Sequence, residues 1–332
     1  MNYHKLLIAC ALLVLLSCLD CSKEDSNSDT ISGPDSNESG EIVGVPVIYE
    51  TDMTLDVDDV GGLAVLHGLQ TEGEVTILGV CYNEVHKLAP RVIDAINTYY
   101  NRGTIPIGIY NKRLVDPDPS DYYSYERSND VDNMKHDLSD NIVNDAIKVY
   151  KQILASQPDH SVVVISVGFL NNLYDLIHDP EGFNLVESKV KLLAVMGGLH
   201  GDGFNFVRHN LVEQTQYVIE HWPGTLLTTH VGGDIITGET LTSTTPANNP
   251  VRRAYELEWG VGPNQGRSSW DQVTTMYAVF GTKYYREDWQ GSGSLPNGYR
   301  WFFKADFRGY AEPISNKQIE QEIERLMTLA PK

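Results

Sequence analysis

The chain has 332 residues, with 25 Lys and Arg against 45 Asp and Glu and a formal net charge of −20 at pH 7. So acidic a balance excludes binding to nucleic acid, or to anionic lipid, through a basic patch. Of its 4 cysteines only Cys81 lies beyond residue 21, which excludes a disulfide framework in any folded part and leaves Cys81 as a small buried residue.

Lys5 precedes the apolar run Leu6 to Leu16, which is too short to span a bilayer and has the order of a secretory signal. Leu15-Leu16-Ser17-Cys18 resembles a bacterial lipobox, implying cleavage after residue 17 and a lipid on Cys18. Removing residues 1–17, which hold Lys5 and no acid, makes the mature chain one unit more negative. Residues 18–43 are rich in Ser, Asp, Asn, Glu and Gly and carry almost no large apolar side chain. Such a segment cannot bury enough surface to offset chain entropy, so it is expected to be a disordered acidic tether. Its run Ser22-Lys23-Glu24-Asp25 is similar to export signals of surface-exposed lipoproteins. The expectation is a lipid-anchored protein of the bacterial cell envelope, membrane-bound through Cys18, with one folded domain over 44–332.

Along that domain, β-rich apolar runs predict strands over 44–51, 74–82, 105–110, 161–168, 190–197 and 224–231. Helical patterns fall over 58–71, 87–101, 139–156, 170–178, 211–221 and 315–328. Residues 161–167 and 190–196 are nearly continuously apolar, as in strands covered on both faces. The alternation predicts an α/β fold: a doubly wound, mostly parallel sheet flanked by helices, Rossmann-like. Ligands of such sheets bind beyond the carboxyl ends of the strands. Asp52, Asn83, Asn171 and Asn172, Gly197 and Gly198, and His230 follow the first, second, fourth, fifth and sixth of these strands and are expected to converge there. Residues 282–310, with aromatics around Gly291 to Gly298, predict a β-hairpin whose rings serve core or rim packing.

The end of the first strand carries Asp52, Asp56, Asp58 and Asp59 within eight residues. Carboxylates this close repel unless protons or a cation neutralise them, and all-oxygen ligands suit Ca²⁺ or Mg²⁺. Some aspartates in such a turn serve only as helix caps. An EF-hand loop starting at Asp56 fails, because Val60 stands where an oxygen ligand belongs and His67 where the closing Glu belongs.

Glu50-Thr-Asp52-Met-Thr-Leu-Asp56-Val-Asp58-Asp59-Val-Gly-Gly-Leu-Ala64 resembles the aspartate signature of the inosine–uridine-preferring nucleoside hydrolases, in a form whose loop is two residues longer. Gly79 to Asn83, Gly168-Phe-Leu-Asn171-Asn172, Met196-Gly-Gly198, Phe204-Asn205-Phe206 and Ser268-Ser-Trp-Asp271 follow in family order. The resemblance implies Ca²⁺ held by Asp52, Asp59, Asp271 and a backbone carbonyl near Asn171, with Asp56 a further candidate ligand. It implies that Asp52 deprotonates the attacking water and that Asp58, Asn83, Asn205 and Asp271 bind the sugar. The implied reaction is hydrolysis of the N-glycosidic bond of a nucleoside or related riboside, a small-molecule partner, with water attacking C1′ and inverting it. Nothing in the sequence decides whether the chain forms a homo-oligomer.

Several positions depart from that pattern. Glu50 replaces an Asp, Thr54 a Gly, and Gly203, beside Asp202, a sugar-binding Glu; His209 and Asn210 stand for Asp-Pro. Trp270 stands where a leaving-group histidine is usual, so His230, His209 or a tyrosine of Tyr122-Tyr123-Ser124-Tyr125 would have to protonate the leaving group. Two other outcomes follow from these departures: a catalytically weakened nucleoside- or carbohydrate-binding lipoprotein, or a hydrolase of another glycoside.

Overall fold

Val45–Thr51 forms β1, whose side chains alternate between two cores although almost all are apolar. Val47 and Tyr49 enter one core and Ile48 the other. The computed structural model describes residues 44–53, 56–117, 135, 138, 144–200, 204–257 and 261–332. The leader, Cys18, the tether, Thr54, the Tyr122–Tyr125 loop, Asp202 and Gly203 lie outside the described residues.

Asp58–Glu72 forms α1, which ends at Gly73 in the left-handed conformation (φ 80°) and leads into β2, Val75–Tyr82. Glycine suits that turn because a Cβ there is strained. Then come α2 (Ala89–Tyr99), β3 (Ile107–Ile109) and β4 (Asn144–Asp145). The helix expected over 139–156 is described as α3, Ala146–Ala155, capped by the Asp145 side chain on the Lys148 amide. β5 (Val162–Ser166), α4 (Asn171–His178), α5 (Pro180–Lys189), β6 (Val190–Met196), α6 (Val212–His221) and β7 (Thr225–Thr229) continue the alternation. The last third adds β8 (Ile236–Thr237), α7 (Leu241–Thr244), α8 (Pro250–Leu257), β9 (Arg267–Ser268) and α9 (Trp270–Phe280). It closes with β10 (Tyr285–Asp288), β11 (Ser292–Ser294), β12 (Arg300–Phe302), β13 (Arg308–Pro313) and α10 (Asn316–Met327).

The main sheet runs β10-β13-β7-β6-β5-β1-β2-β3-β4, parallel throughout except for the antiparallel edge strand β10. The predicted α/β class and mostly parallel sheet are what the structure has. The expected hairpin over 282–310 is nested: β11 and β12 pair with each other, while the flanking β10 and β13 join the main sheet. Trp301 of the hairpin is buried, and Phe302 is 70% exposed.

The direction of winding reverses at β1. From it the chain winds outward through β2, β3 and β4, then returns to β5 on the other side and continues through β6 and β7. The carboxyl ends of β1 and β5 therefore diverge into a crevice, the place where open parallel sheets bind ligands. Asp52 follows one of these strands and Gly168 the other.

Candidate metal centre and crevice

Asp58 and Asp59 are the first two residues of α1, and Asp271 is the second residue of α9. The amino ends of both helices carry partial positive charge, which favours anions there. One carboxylate oxygen from each of Asp58, Asp59 and Asp271 lies within 4.8 Å of the others, and all three residues are buried. Burial first, and repulsion from neighbouring aspartates, Asp52 and Asp56 among them, second, hold all three carboxyls well above the usual range. Thr51 donates its hydroxyl to Asp59 Oδ1, and Tyr49 donates to the Asp59 carbonyl at 3.0 Å. Asp271 Oδ1 has no hydrogen-bond partner among the described residues. A buried oxygen left unpaired among like charges fits a site for a hard cation, which would supply the missing contact and neutralise the cluster.

The three carboxylates open onto a crevice of about 450 Å³ also lined by Asp52, Asp56, Asn205, His230, Arg267 and Trp270. Asp52, 5% exposed, is pushed up to about 7 by burial and the Glu84 carboxylate, against the opposing pull of its own backbone amide, His209 and Arg208. It lines the crevice without belonging to the three-carboxylate group. Asp58, expected as a sugar contact, stands inside that group. Asp56 turns instead to Arg267, whose Nε meets its two oxygens at 2.9 and 3.2 Å and whose Nη2 adds a third contact. Arg267 also lies over the Trp270 ring, 5.4 Å from its centroid.

Asn205 donates Nδ2 to the Val167 carbonyl at 2.6 Å and the Met196 carbonyl at 3.2 Å. Its buried Oδ1 has no hydrogen-bond partner among the described residues, and the residue lines the crevice. Asn83 and Asn171 sit behind that wall. Asn83 accepts from the Phe169 amide at 3.2 Å and donates to the Phe169 carbonyl at 2.9 Å and to Glu50 Oε1 at 3.1 Å. Asn171 donates to the Asn83 carbonyl at 2.8 Å. These bonds weld the end of β2 to the turn between β5 and α4, so both amides position the crevice from behind it.

Glu50 anchors the weld. It is fully buried and receives Asn172 Nδ2 at 2.6 Å and the Tyr150 hydroxyl at 2.7 Å. Burial pushes its carboxyl up to about 8, against the three hydrogen bonds. Its folded value lies above the unfolded one of about 4.3, so its contribution to stability is present below that pH and lost as pH rises toward 8. Glutamine has the same shape, accepts from both asparagines and donates to Tyr150. Glu50→Gln is therefore expected to match the wild type at pH 4 and to be more stable by about 2–4 kcal/mol at pH 8. Thermal melts from pH 4 to 9 check this; a gap that does not change with pH would refute it.

His209 does not reach the crevice. Its Nε2 lies 2.7 Å from Glu84 Oε2, and its Nδ1 lies 2.9 Å from the Val115 carbonyl. Both ring nitrogens face acceptors, an arrangement that favours the doubly protonated ring. Burial opposes that charge, but Glu84 and Val115 still hold the imidazole above its ordinary value. The backbone at His209 is left-handed (φ 55°), a strain that this double anchoring sustains. His230 and His200 do line the crevice. Arg267, Glu84 and His200 were not singled out from the sequence. Arg267 stands one residue before Ser268-Ser-Trp-Asp271 and Glu84 directly after Asn83, but no spacing rule marks either.

A group of three buried carboxylates at the switch point of a mostly parallel sheet defines an α/β protein with an acidic crevice. Solved structures extend that description. The type III effector XopQ, complexed with adenosine diphosphate ribose, superposes with a TM-score of 0.63 at 12% identity, covering 87% of this chain and 94% of its own. An inosine-uridine preferring nucleoside hydrolase from Bacillus anthracis gives 0.62 at 15% identity, covering 86% and 99%. An inosine-guanosine nucleoside hydrolase gives 0.58 at 12%, covering 86% and 99%. The chain thus has the nucleoside hydrolase-like fold. No protein-family model and no curated protein matches the sequence.

Proposed function

We propose that this chain hydrolyses the N-glycosidic bond of a riboside, with a Ca²⁺ ion held by Asp58, Asp59 and Asp271. The convergence of those three buried carboxylates on a crevice at the β1/β5 switch point carries the reading. The oxygen-only donor set favours a hard cation. When bound, the ion would anchor a vicinal diol and make a water more acidic.

The chain's own groups supply the rest. Asp52, which lines the crevice beside the triad, suits a general base that orients and deprotonates the attacking water. The surrounding carboxylates stabilise positive charge developing at C1′. One water attacking directly inverts that carbon. Asn205 Oδ1 offers an acceptor to a sugar hydroxyl. Phe204, Met196 and Trp270 provide apolar walls for a planar leaving group. The riboside class is kept broad because one structural neighbour is complexed with ADP-ribose.

Trp270 supports a second reading, a binding protein with weakened turnover, because an indole cannot protonate a leaving group. A panel of nucleosides incubated with the full chain, with and without EDTA, separates the two. Release of free base that stops on chelation and returns with Ca²⁺ is the expected result. Metal-dependent binding without release selects the second reading, and neither binding nor release refutes both.

A further inference from the structure

Breaking an N-glycosidic bond returns its electron pair to the leaving group, which departs readily once a proton has reached it. Most side chains of the crevice cannot supply that proton. Asp58, Asp59 and Asp271 serve the proposed cation, Asp52 the water, and Asp56 the guanidinium of Arg267, which does not give up its charge. The Trp270 indole and the Asn205 amide have no proton to release near neutral pH. Among the described lining residues two imidazoles remain, His200 and His230. His230 follows β7, its ring tilted 44° against Tyr310. His200 stands in the connection after β6 that also carries Phe204, and the structure fixes its orientation. Its Nδ1 lies 3.0 Å from Ser294 Oγ, and its backbone bridges that of Ser294, whose amide donates to the Leu199 carbonyl at 2.7 Å. Ser294 ends β11, and Leu295 and Trp301 seat that hairpin in the core. With Nδ1 donating to the hydroxyl, Nε2 carries the exchangeable proton, and no hydrogen bond among the described residues engages Nε2.

Resting on the riboside reading above, we propose that His200 is the catalytic acid that protonates the departing base, and that Ser294 is its positioning residue. As the bond from C1′ to nitrogen breaks, its electron pair goes to the base, and Nε2 of the imidazolium passes its proton to a ring nitrogen of that base. The water oxygen bonds to C1′ while Asp52 takes the water proton. His200 ends neutral and Asp52 protonated, and proton exchange with solvent resets both. Asp52 follows β1 and His200 follows β6, with β5 between those strands in the sheet. This separation suits an inverting displacement, in which acid and base work on opposite faces of the sugar.

Steady-state kinetics of the full chain with Ca²⁺ test this on two substrate classes. Adenosine, inosine and uridine have bases that need a proton to leave; p-nitrophenyl riboside and nicotinamide riboside have leaving groups that do not. His200→Gln is expected to raise the ratio of kcat on these activated ribosides to kcat on the nucleosides by about 10²-fold or more. Ser294→Ala should raise the same ratio by about tenfold, with KM little changed, as the loss of one orienting hydrogen bond predicts. His230→Gln should leave the ratio within about threefold of the wild type. Misfolding lowers both classes together and so cannot mimic a change in the ratio, and terbium luminescence reports the metal site in each variant. An unchanged ratio in His200→Gln, or a rise that appears in His230→Gln instead, would overturn the proposal while leaving the riboside reading intact. A wild type that cleaves the activated ribosides and no nucleoside has no working acid, and one that cleaves nucleosides but neither activated riboside selects by base rather than by leaving-group acidity; each also overturns it. If neither class is cleaved, the riboside hydrolase reading falls and this one with it.

Discussion

Asp271→Asn is expected to weaken Ca²⁺ or terbium binding by at least about 100-fold, and turnover by about 10³-fold. The effect on stability should change sign with the metal. Without Ca²⁺ the variant loses one of three mutually repelling buried carboxylates and should gain roughly 1–3 kcal/mol. With saturating Ca²⁺ it should be the less stable protein, because ligand binding to the native state is what stabilises the wild type. The pH dependence follows from the raised carboxyls. Their stability contribution in the metal-free chain is full at pH values below the unfolded carboxylate range and is lost as pH rises through their folded values. Stabilisation by Ca²⁺ should therefore grow with pH, since the ligands must shed protons to bind it. Melting curves with Ca²⁺ and with EDTA across pH 5 to 8 read all of this. An Asp271→Asn protein that binds terbium like the wild type would remove the centre from consideration. The same titration on Asp58→Asn and Asp52→Asn assigns roles. Asp58→Asn should behave like Asp271→Asn, whereas Asp52→Asn should lose turnover more than metal.

Gly168→Ala should damage the site without touching a charge. A Cβ at Gly168 would stand 2.5 Å from the Asp52 amide nitrogen, 2.7 Å from Asp52 Oδ1 and 2.6 Å from Asn83 Oδ1. The Asp52 amide nitrogen is backbone and cannot swing aside as a side-chain end could. Asn83 is held by Glu50 and Phe169, and Asp52 follows the central strand. Relief must come from separating β1 from the turn after β5, at about 1–3 kcal/mol. A displacement of about 1 Å at Asp52 is enough for about 10²-fold in kcat. Gly224→Ala is the control, because its nearest heavy atoms lie 3.8 and 3.9 Å away. The pair is compared by thermal melting and by kcat in the presence of Ca²⁺; equal behaviour would show that the Gly168 contact does not hold Asp52.

Much of the scaffold was legible because the alternation of apolar runs and amphipathic segments reports burial directly. Strands β1, β2, β5 and β6 each carry mostly apolar side chains that both cores use, and β7 adds Leu226 to one core and Leu227 to the other. Helix α9 was not legible as a helix. Val273, Thr274, Thr275 and Met276 are all buried, so no polar face marks its period. Helix α8 and strand β13 escaped for a related reason: both take their partners from distant segments, which local pattern cannot show.

The division of labour among the aspartates shows the same limit at the site. Residues adjacent on a helix point about 100° apart, so local geometry alone favours one of Asp58 and Asp59 facing a partner. The approach of α9 to the amino end of α1 lets both reach Asp271. The longer loop carries Asp56 to Arg267, a pairing that no spacing in the chain announces.

From the sequence alone came the α/β class, the acidic character and the concentration of oxygen ligands after the first strand, together with the resemblance that singled out Asp271. These follow from residue type and short-range order, which composition, periodicity and motif record. Only the tertiary structure decided which carboxylates meet, that Asn83 and Asn171 brace the crevice from behind, that His209 is held by Glu84, and that a guanidinium shares the cleft. Those outcomes depend on the crossing of elements far apart in the chain, where electrostatic and packing energies vary over ångströms that sequence separation does not encode.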